Sequence, residues 1–250
     1  MKAQMDILVV NPNTTASMTE KIGKAARAAA SAGTRIIAAN PKDGPPSIEG
    51  YFDEVFAIPG MIGEIQKHPA ASACVIACFD DTGLDAARCV GEMPVVGIGE
   101  AAFHMASLIA GRFSVVTTLS RSVPAIEHNL VRYGLASRCA RVRASDVPVL
   151  ELEVLGSNAR HRISEEIECA IRDDGAEAIV LGCAGMADLA AALSREHGVP
   201  VLDGVACAVK LCESLVGLGL STSKRGGYQV PLEKSFAGIF ASFSPSGRVS

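Results

Sequence analysis

The stretch ACVIACFDDTGLDAAR, residues 73–88, decides the fold because it holds a short apolar strand followed directly by a polar turn and a helix. The strand, predicted over 73–78, is apolar throughout, which is typical of a parallel strand covered on both faces. A similar stretch, AIVLGCAGM, occupies residues 178–186 and also ends its apolar run in a thiol. We therefore predict that Cys78 and Cys183 lie at the carboxyl ends of two buried strands.

Apolar runs of this kind alternate with longer segments of helical period along the chain, which predicts an α/β fold with parallel sheets. The eight expected strands cover residues 7–10, 35–39, 73–78, 94–99, 113–118, 140–144, 178–183 and 200–204. A helix is expected after Thr14 or Thr15, either of which would cap it, and another over residues 157–174. Asp81 or Thr82 is expected to cap the helix that follows the third strand.

The strands form two sets of four that repeat at a constant separation. That separation is 106 residues for three pairs of equivalent positions: Val10 and Val116, Ile36 and Val142, Pro94 and Pro200. Cys78 and Cys183 are 105 residues apart, one short of this shift. Such a duplication predicts two like halves related by a pseudo-twofold axis, with both thiols at one cleft between them.

Composition excludes several classes of function. The chain has 250 residues, 27 acidic against 23 basic, so no basic face is expected for nucleic acid or an anionic membrane. The apolar run at 7–10 is too short for a signal peptide or a membrane span, so a cytoplasmic protein is expected. Its 8 cysteines contain no CxxC pair, which argues against structural zinc and, in a reducing compartment, against disulfides. We expect no metal and a small-molecule ligand.

Two thiols on opposite sides of one cleft suit the inversion of a carbon acid, in which one group removes a proton while another delivers one to the opposite face. A helix N-terminus lowers a thiol pKa, and both Cys78 and Cys183 are expected to precede helices. Asp80 and Asp81 should oppose ionisation of Cys78, which predicts that Cys78 has the higher pKa of the pair. The alternative for any single cysteine is an inert position in the core.

Five stretches spread over nearly the whole chain resemble one known family. They are VVNPNTTASMT (9–19), GPPSIEGYFDE (44–54), IACFDDTGLDAAR (76–88), RFSVVTTLSRSVP (112–124) and AIVLGCAGM (178–186). They resemble the hydantoin racemase branch of the Asp/Glu/hydantoin racemase superfamily.

The resemblance implies cofactor-independent racemisation by two cysteines, which fall on Cys78 and Cys183. It also implies two flavodoxin-like domains with four-stranded parallel sheets, a homo-oligomer, and helices that cross between the halves after each fourth strand. The expected division is residues 1–99 with 206–250 in one domain and 100–205 in the other.

The residues next to the thiols favour a neutral cyclic substrate. Amino-acid racemases of the superfamily resemble one another in CNT and GCTH motifs, whereas this chain has CFD at 78–80 and GCAG at 182–185. We expect hydrogen bonds to ring carbonyl and N–H groups from side chains at two strand ends, and enolate stabilisation by backbone N–H groups beside the thiols. The predicted binding residues are Asn11, Asn13, Ile48, Phe79, Asp80, Thr117, Thr118, Gly182, Ala184 and Gly185.

The sequence therefore predicts a racemase of 5-monosubstituted hydantoins, with allantoin racemase as the alternative. Decarboxylation, cis–trans isomerisation and ligand binding without turnover stay open as further alternatives. The segment NPKDGPPSIEG, residues 40–50, is expected to be a surface loop or a lid over the cleft. GIG, residues 97–99, lacks the third glycine of a dinucleotide-binding loop.

Overall fold

The computed structural model describes residues 4–154 and 156–245 and contains two four-stranded parallel sheets. The strands are β1 (Met5–Val10), β2 (Thr34–Ala39), β3 (Ala73–Ile76), β4 (Val95–Gly97), β5 (Phe113–Thr117), β6 (Cys139–Ala144), β7 (Ala178–Gly182) and β8 (Val201–Asp203). Their orders are β2-β1-β3-β4 and β6-β5-β7-β8, so the two halves share one topology. The predicted α/β fold is confirmed.

Eight α-helices connect and cover the strands within the described residues. They are α1 (Ala16–Ala29), α2 (Tyr51–Lys67), α3 (Leu84–Val90), α4 (Ile98–Ile109), α5 (Val123–Arg132), α6 (Ala159–Asp174), α7 (Ala190–His197) and α8 (Gly204–Gly217). In the part of the chain that the structure describes, no helix is both long and apolar enough to cross a bilayer.

The two strands that precede the thiols both end earlier than the sequence predicts. β3 ends at Ile76, which pairs with Gly97, and β7 ends at Gly182, which pairs with Thr117. The neighbouring strands end at these points, so the chain turns away from the sheet once no partner is left. As a result, Cys78 and Cys183 lie in the turns that follow the strands and not in the strands themselves. We call residues 78–83 the Cys78 turn and residues 183–189 the Cys183 turn.

The helices that follow the fourth strand of each set lie across the middle of the molecule. α4 follows β4 yet contacts β7 of the second sheet, and α8 follows β8 yet contacts β3 and α1 of the first half. The two helices start in close contact, because a Cβ on Gly204 would lie 2.5 Å from the carbonyl oxygen of Ile98. The largest apolar core cluster accordingly includes side chains from both halves. These contacts agree with the expected exchange of helices.

The division into domains stays a prediction. Within its first part, residues 1–3 and 246–250 lie outside the residues that the structure describes.

The predicted cap of α3 is wrong. Gly83 precedes α3, and no side chain caps that helix. Asp81 instead accepts hydrogen bonds from the backbone N–H groups of Gly99 (2.9 Å) and Glu100 (2.8 Å), in the first turn of α4. Side chains on the GIG segment would collide with it, because a Cβ on Gly97 would lie 2.1 Å from Asp81 Oδ1. The glycines at 97 and 99 thus make room for a carboxylate from another loop.

Candidate active site

One small cavity lies at the carboxyl ends of strands from both sheets. Its lining is Asn11, Asn13, Met18, Ile48, Ala77, Cys78, Phe79, Asp80, Thr117, Thr118, Ser122, Val149, Gly182, Cys183 and Ala184. Both thiols therefore border a single cavity, as the duplication predicts. Of the twelve residues predicted for the site, only Gly185 is missing from this lining. It lies one residue farther along the Cys183 turn.

The Cys78 turn surrounds its thiol with an O–H donor and acidic neighbours. Thr82 Oγ1 donates a hydrogen bond to Cys78 Sγ at 3.3 Å. Burial raises the pKa of Cys78 well above its usual range, and the negative charge of Asp80 raises it further. The opposing effect of Asp80 on Cys78 is thus in the predicted direction.

The Cys183 turn surrounds its thiol with a backbone donor and a cation. Burial raises the pKa of Cys183 to about 12, while the Gly185 backbone N–H and the Lys21 ammonium group lower it. The turn itself is a 3₁₀ helix over Ala184–Leu189, and α7 begins only at Ala190. The expectation that helix N-termini bring both thiols below their ordinary pKa is wrong, because removal from water has the larger effect.

Two acidic side chains that interact with Cys78 lie in an environment of low polarity. Burial raises the pKa of Asp80 to about 7, and the charges of Glu54 and Asp81 add to the shift. Burial also raises the pKa of Glu54. Among the described residues, Glu54 Oε1 is a buried oxygen without a hydrogen-bond partner. This side of the cavity therefore favours protonated groups and hydrogen-bond donors.

The amide side chains after β1 are fixed by hydrogen bonds to one another. Asn11 Nδ2 donates to Asn13 Oδ1 at 2.9 Å and to Thr19 Oγ1 at 3.0 Å. In the second half, Thr117 Oγ1 donates to the Gly182 carbonyl at 2.9 Å, so its hydroxyl hydrogen is already used inside the protein. The predicted role of Thr117 as a donor to substrate therefore has to compete with this bond, although its oxygen lone pairs can still accept.

The segment 40–50 lies against both halves beside the cavity. Ile48 is buried and lines the cavity, and Glu49 Oε1 accepts a hydrogen bond from the Val149 backbone N–H at 3.0 Å. On the other side, the Thr14 backbone N–H donates to the Pro45 carbonyl at 3.0 Å. This segment is therefore a cover over the cavity, and its opening as a lid stays a prediction.

Four lining residues were not predicted: Met18, Ala77, Ser122 and Val149. Ala77 precedes Cys78 and Ser122 follows Thr118 by four residues, so proximity to predicted residues was an available signal. Val149 has no such signal, because it reaches the cavity through a long connection after β6. Within the described residues, no group of three or more His, Cys, Asp or Glu side chains is placed to hold a metal ion.

Comparison with known proteins assigns the family. A model of the Asp/Glu/hydantoin racemase family matches residues 7–212. The chain belongs to this family. The racemase assignment also rests on a hydantoin racemase from Rhizobium meliloti, 50% identical over 94% of this chain and 98% of that protein. A hydantoin racemase from Pseudomonas sp. (strain NS671) is 46% identical over 96% of this chain and 97% of that protein.

A solved structure shares both sequence and fold with this racemase. The allantoin racemase from Klebsiella pneumoniae is 49% identical, covers 97% of this chain and 100% of its own, and superposes with a TM-score of 0.94. The protein is therefore a racemase, an enzyme of the isomerase class that acts on a small molecule. The hydantoin racemase and the allantoin racemase are similar to this chain at nearly equal identity, 50% and 49%, so similarity alone does not separate the two activities.

Proposed function

We propose that this racemase interconverts the enantiomers of 5-monosubstituted hydantoins, with Cys78 and Cys183 as the two proton-transfer groups. The observation that carries the proposal is that both thiols border one cavity and belong to equivalent turns of the duplicated halves. The hydantoin racemase relatives support the class of substrate.

The reaction needs one thiolate and one thiol. The thiolate takes the proton from C5, and the electron pair of the C–H bond moves to the adjoining carbonyl to form an enolate. The second thiol then gives its proton to the opposite face of C5, so the two sulfurs exchange protonation states. Backbone N–H groups of Phe79 and Ala184, which line the cavity, are proposed to stabilise the enolate oxygen. A thiol of raised pKa is, once ionised, a stronger base.

The lining suits a neutral ring. Hydroxyl groups of Thr118 and Ser122 suit ring carbonyl and N–H groups, and Asn11 and Asn13, whose amides already bond within the protein, are proposed to contribute their remaining hydrogen-bonding capacity. Ile48 and Phe79 also line the cavity, and we propose that their side chains make apolar contacts to the C5 substituent.

Allantoin racemisation is the second candidate. Allantoin is a hydantoin with a ureido group at C5, so the same thiols would act and only the contacts to the substituent would differ. The observation in its favour is the close superposition with the allantoin racemase from Klebsiella pneumoniae. Asp80, which lines the cavity, also suits a substituent that carries N–H donors.

Self-association is proposed as well. Phe52 on α2 is 74% exposed, and Ile239 in the C-terminal segment is 86% exposed. Exposed apolar side chains that cluster, as Phe52 does with Phe56 at 4.9 Å between ring centroids, are typical of surfaces covered by another subunit. Sedimentation analysis checks this, since a monomer at all concentrations would contradict it.

Single enantiomers of 5-benzylhydantoin and of allantoin, each incubated in deuterated water beside enzyme-free controls, test the proposed reaction. Loss of optical rotation together with deuterium at C5 supports racemisation, and the ratio of kcat/KM for the two compounds ranks the candidates. If both compounds bind but neither gains deuterium at C5, the proposed racemisation of hydantoins is wrong.

A further inference from the structure

Two hydrogen bonds cross from the second half of the chain to the Cys78 turn. Asn129 Nδ2, on α5, donates to the Asp80 carbonyl oxygen at 2.8 Å. Tyr133, the residue after α5, donates its O–H to Asp81 Oδ2 at 2.7 Å. The turn that carries one thiol is therefore held by a helix that follows the first strand of the other half.

The Cys183 turn is held in the reciprocal way. Lys21 Nζ, on α1, lies 3.4 Å from the Gly185 carbonyl oxygen and 3.0 Å from that of Leu152, and it donates to both. It also forms an ion pair with Glu153 at 3.0 Å. Gly185 is the residue whose backbone N–H lowers the pKa of Cys183. Because α1 follows β1 as α5 follows β5, the two sets of contacts come from equivalent helices.

The Cys78 turn needs such support because its backbone is strained. Asp81 has a φ of 52°, a left-handed conformation that is costly for a residue with a side chain. Its backbone N–H donates to the Cys78 carbonyl at 3.0 Å, so the strained residue closes the turn directly on the thiol-bearing one. Conformations of this kind persist where the surroundings fix them, and they concentrate at functional sites.

We propose that each thiol is positioned by the opposite half of the molecule, with Asn129 and Tyr133 as positioning residues for Cys78 and Lys21 as the positioning residue for Cys183. The inference rests on the proposed two-thiol reaction and adds residues that lie outside the cavity lining. Asn129 and Tyr133 should therefore affect only the proton transfer at the substrate face next to Cys78, and Lys21 only the proton transfer at the face next to Cys183.

A displacement of one thiol slows proton transfer at one face. A misplacement of about 1 Å costs about 10²-fold in rate when reacting groups must be aligned. Because the two enantiomers are equal in free energy, kcat/KM must fall equally in both directions. The affected face is therefore revealed by the isotope effect of a C5-deuterated substrate and not by the overall rate.

The experiment compares Tyr133→Phe, which keeps the aromatic ring, with Lys21→Met, using each C5-deuterated enantiomer. Tyr133→Phe should lower kcat/KM about tenfold, the equivalent of one hydrogen bond of about 1.4 kcal/mol. The primary isotope effect should rise for the enantiomer that Cys78 deprotonates, since that step becomes limiting. It should fall for the other enantiomer. In Lys21→Met the isotope effect should instead rise for the enantiomer that Cys183 deprotonates and fall for the enantiomer that Cys78 deprotonates.

Controls come from the same two helices. Lys24→Met on α1 and Glu127→Gln on α5 replace exposed side chains near the altered positions, and both should leave activity and isotope effects unchanged. A loss of activity in Tyr133→Phe and Lys21→Met with unaltered isotope effects in both directions would mean a merely structural role and would overturn the proposal.

A second measurement separates this proposal from the proposed function. Iodoacetamide labelling, resolved by peptide mass spectrometry, gives the alkylation rate of each thiol without any substrate. Asn129→Ala should release the Cys78 turn and speed alkylation of Cys78 about tenfold, with Cys183 unchanged. Lys21→Met should release the Cys183 turn and speed alkylation of Cys183 alone, because the hydrogen bonds to the Gly185 and Leu152 carbonyls are lost. Equal changes at both thiols would refute the positioning, whereas racemisation that survives loss of both thiols would refute only the proposed reaction.

Discussion

The two thiol-bearing turns differ more than their topology suggests. In the first half, Cys78 is followed by an open turn with two carboxyl groups, Asp80 and Asp81, before α3 begins. In the second half, Cys183 is followed immediately by a 3₁₀ helix whose Gly185 backbone N–H faces the sulfur. A duplicated fold thus places two like atoms in unlike electrostatic surroundings, so topological equivalence of the two turns does not make their thiols chemically equivalent.

The N-terminal caps of the two crossing helices, α4 and α8, also differ. Asp203 caps its own helix α8, accepting from the backbone N–H groups of Val205 and Ala206 at 2.7 and 3.1 Å. The equivalent position in the first half is Gly97, and its function is taken over by Asp81 from the Cys78 turn. In the first half alone, therefore, the start of the crossing helix is hydrogen-bonded to the turn that carries a cavity thiol.

The largest effect is expected from removing either thiol. Cys78→Ala and Cys183→Ala should each lower kcat for racemisation at least about 10³-fold, since each removes one of two proton-transfer groups. Polarimetry measures the loss, and deuterium exchange from a single enantiomer can persist in one of the variants. Cys169→Ala, at a position outside the cavity, is the matched control and should keep full activity. Normal racemisation by either of the first two variants would disprove the assigned roles.

The next effect compares the two caps. Asp81→Ala should lower the free energy of unfolding by about 3 kcal/mol, because it leaves buried N–H donors and the Tyr133 hydroxyl without their acceptor. Asp203→Ala should cost about 1 kcal/mol, the usual value for a helix N-cap. Urea denaturation followed by circular dichroism gives both numbers. Equal losses would show that the two caps are equivalent after all.

The Asp80 carboxyl group, in the first half, should make the stability of the fold depend on pH. The pKa of Asp80 is raised from 3.8 to about 7 in the folded protein, so folding favours its protonated form. Its contribution to stability is present below about pH 4 and is lost as the pH rises through 7. The melting temperature should therefore fall between about pH 4 and 7 and level off above pH 7, and Asp80→Asn should reduce that slope. The exposed Asp43→Asn is the control, and an unchanged slope in Asp80→Asn would contradict the prediction.

The smallest effect is expected from moving the aspartate that caps α4 from position 81 to position 97. Gly97 has φ −82° and ψ 146°, close to the φ −99° and ψ 135° of Asp203, so an aspartate at 97 can adopt the backbone of a self-capped helix. Asp81→Ala removes the carboxyl atoms that would lie 2.1 and 2.5 Å from a Cβ at position 97, and the Cβ that stays at position 81 would lie 3.1 Å from it. The double variant Asp81→Ala/Gly97→Asp should recover about 1 kcal/mol over Asp81→Ala alone in urea denaturation. No recovery would mean that the first half cannot use the capping arrangement of the second.

Sequence patterns predicted the parts of the site that depend on local order. Cys78, Cys183, Asn11 and Thr118 each follow an apolar strand, and the carboxyl ends of parallel strands meet at one edge of a sheet. The effect of Asp80 on Cys78 was also accessible, because the two residues are near neighbours in the chain. Asp81 was misassigned because its partners at Gly99 and Glu100 lie outside its own turn.

The amino-acid sequence by itself determined the α/β class, the duplication and the pair of thiols at strand ends, because strand period and buried apolar runs are local properties of the chain. Only the tertiary structure decided which backbone N–H groups Asp81 would satisfy, how strongly burial would raise both thiol pKa values, and which helix would hold each turn. Those outcomes depend on residues that meet across the two halves, and no local pattern records the distance between Tyr133 and Asp81 or between Lys21 and Gly185.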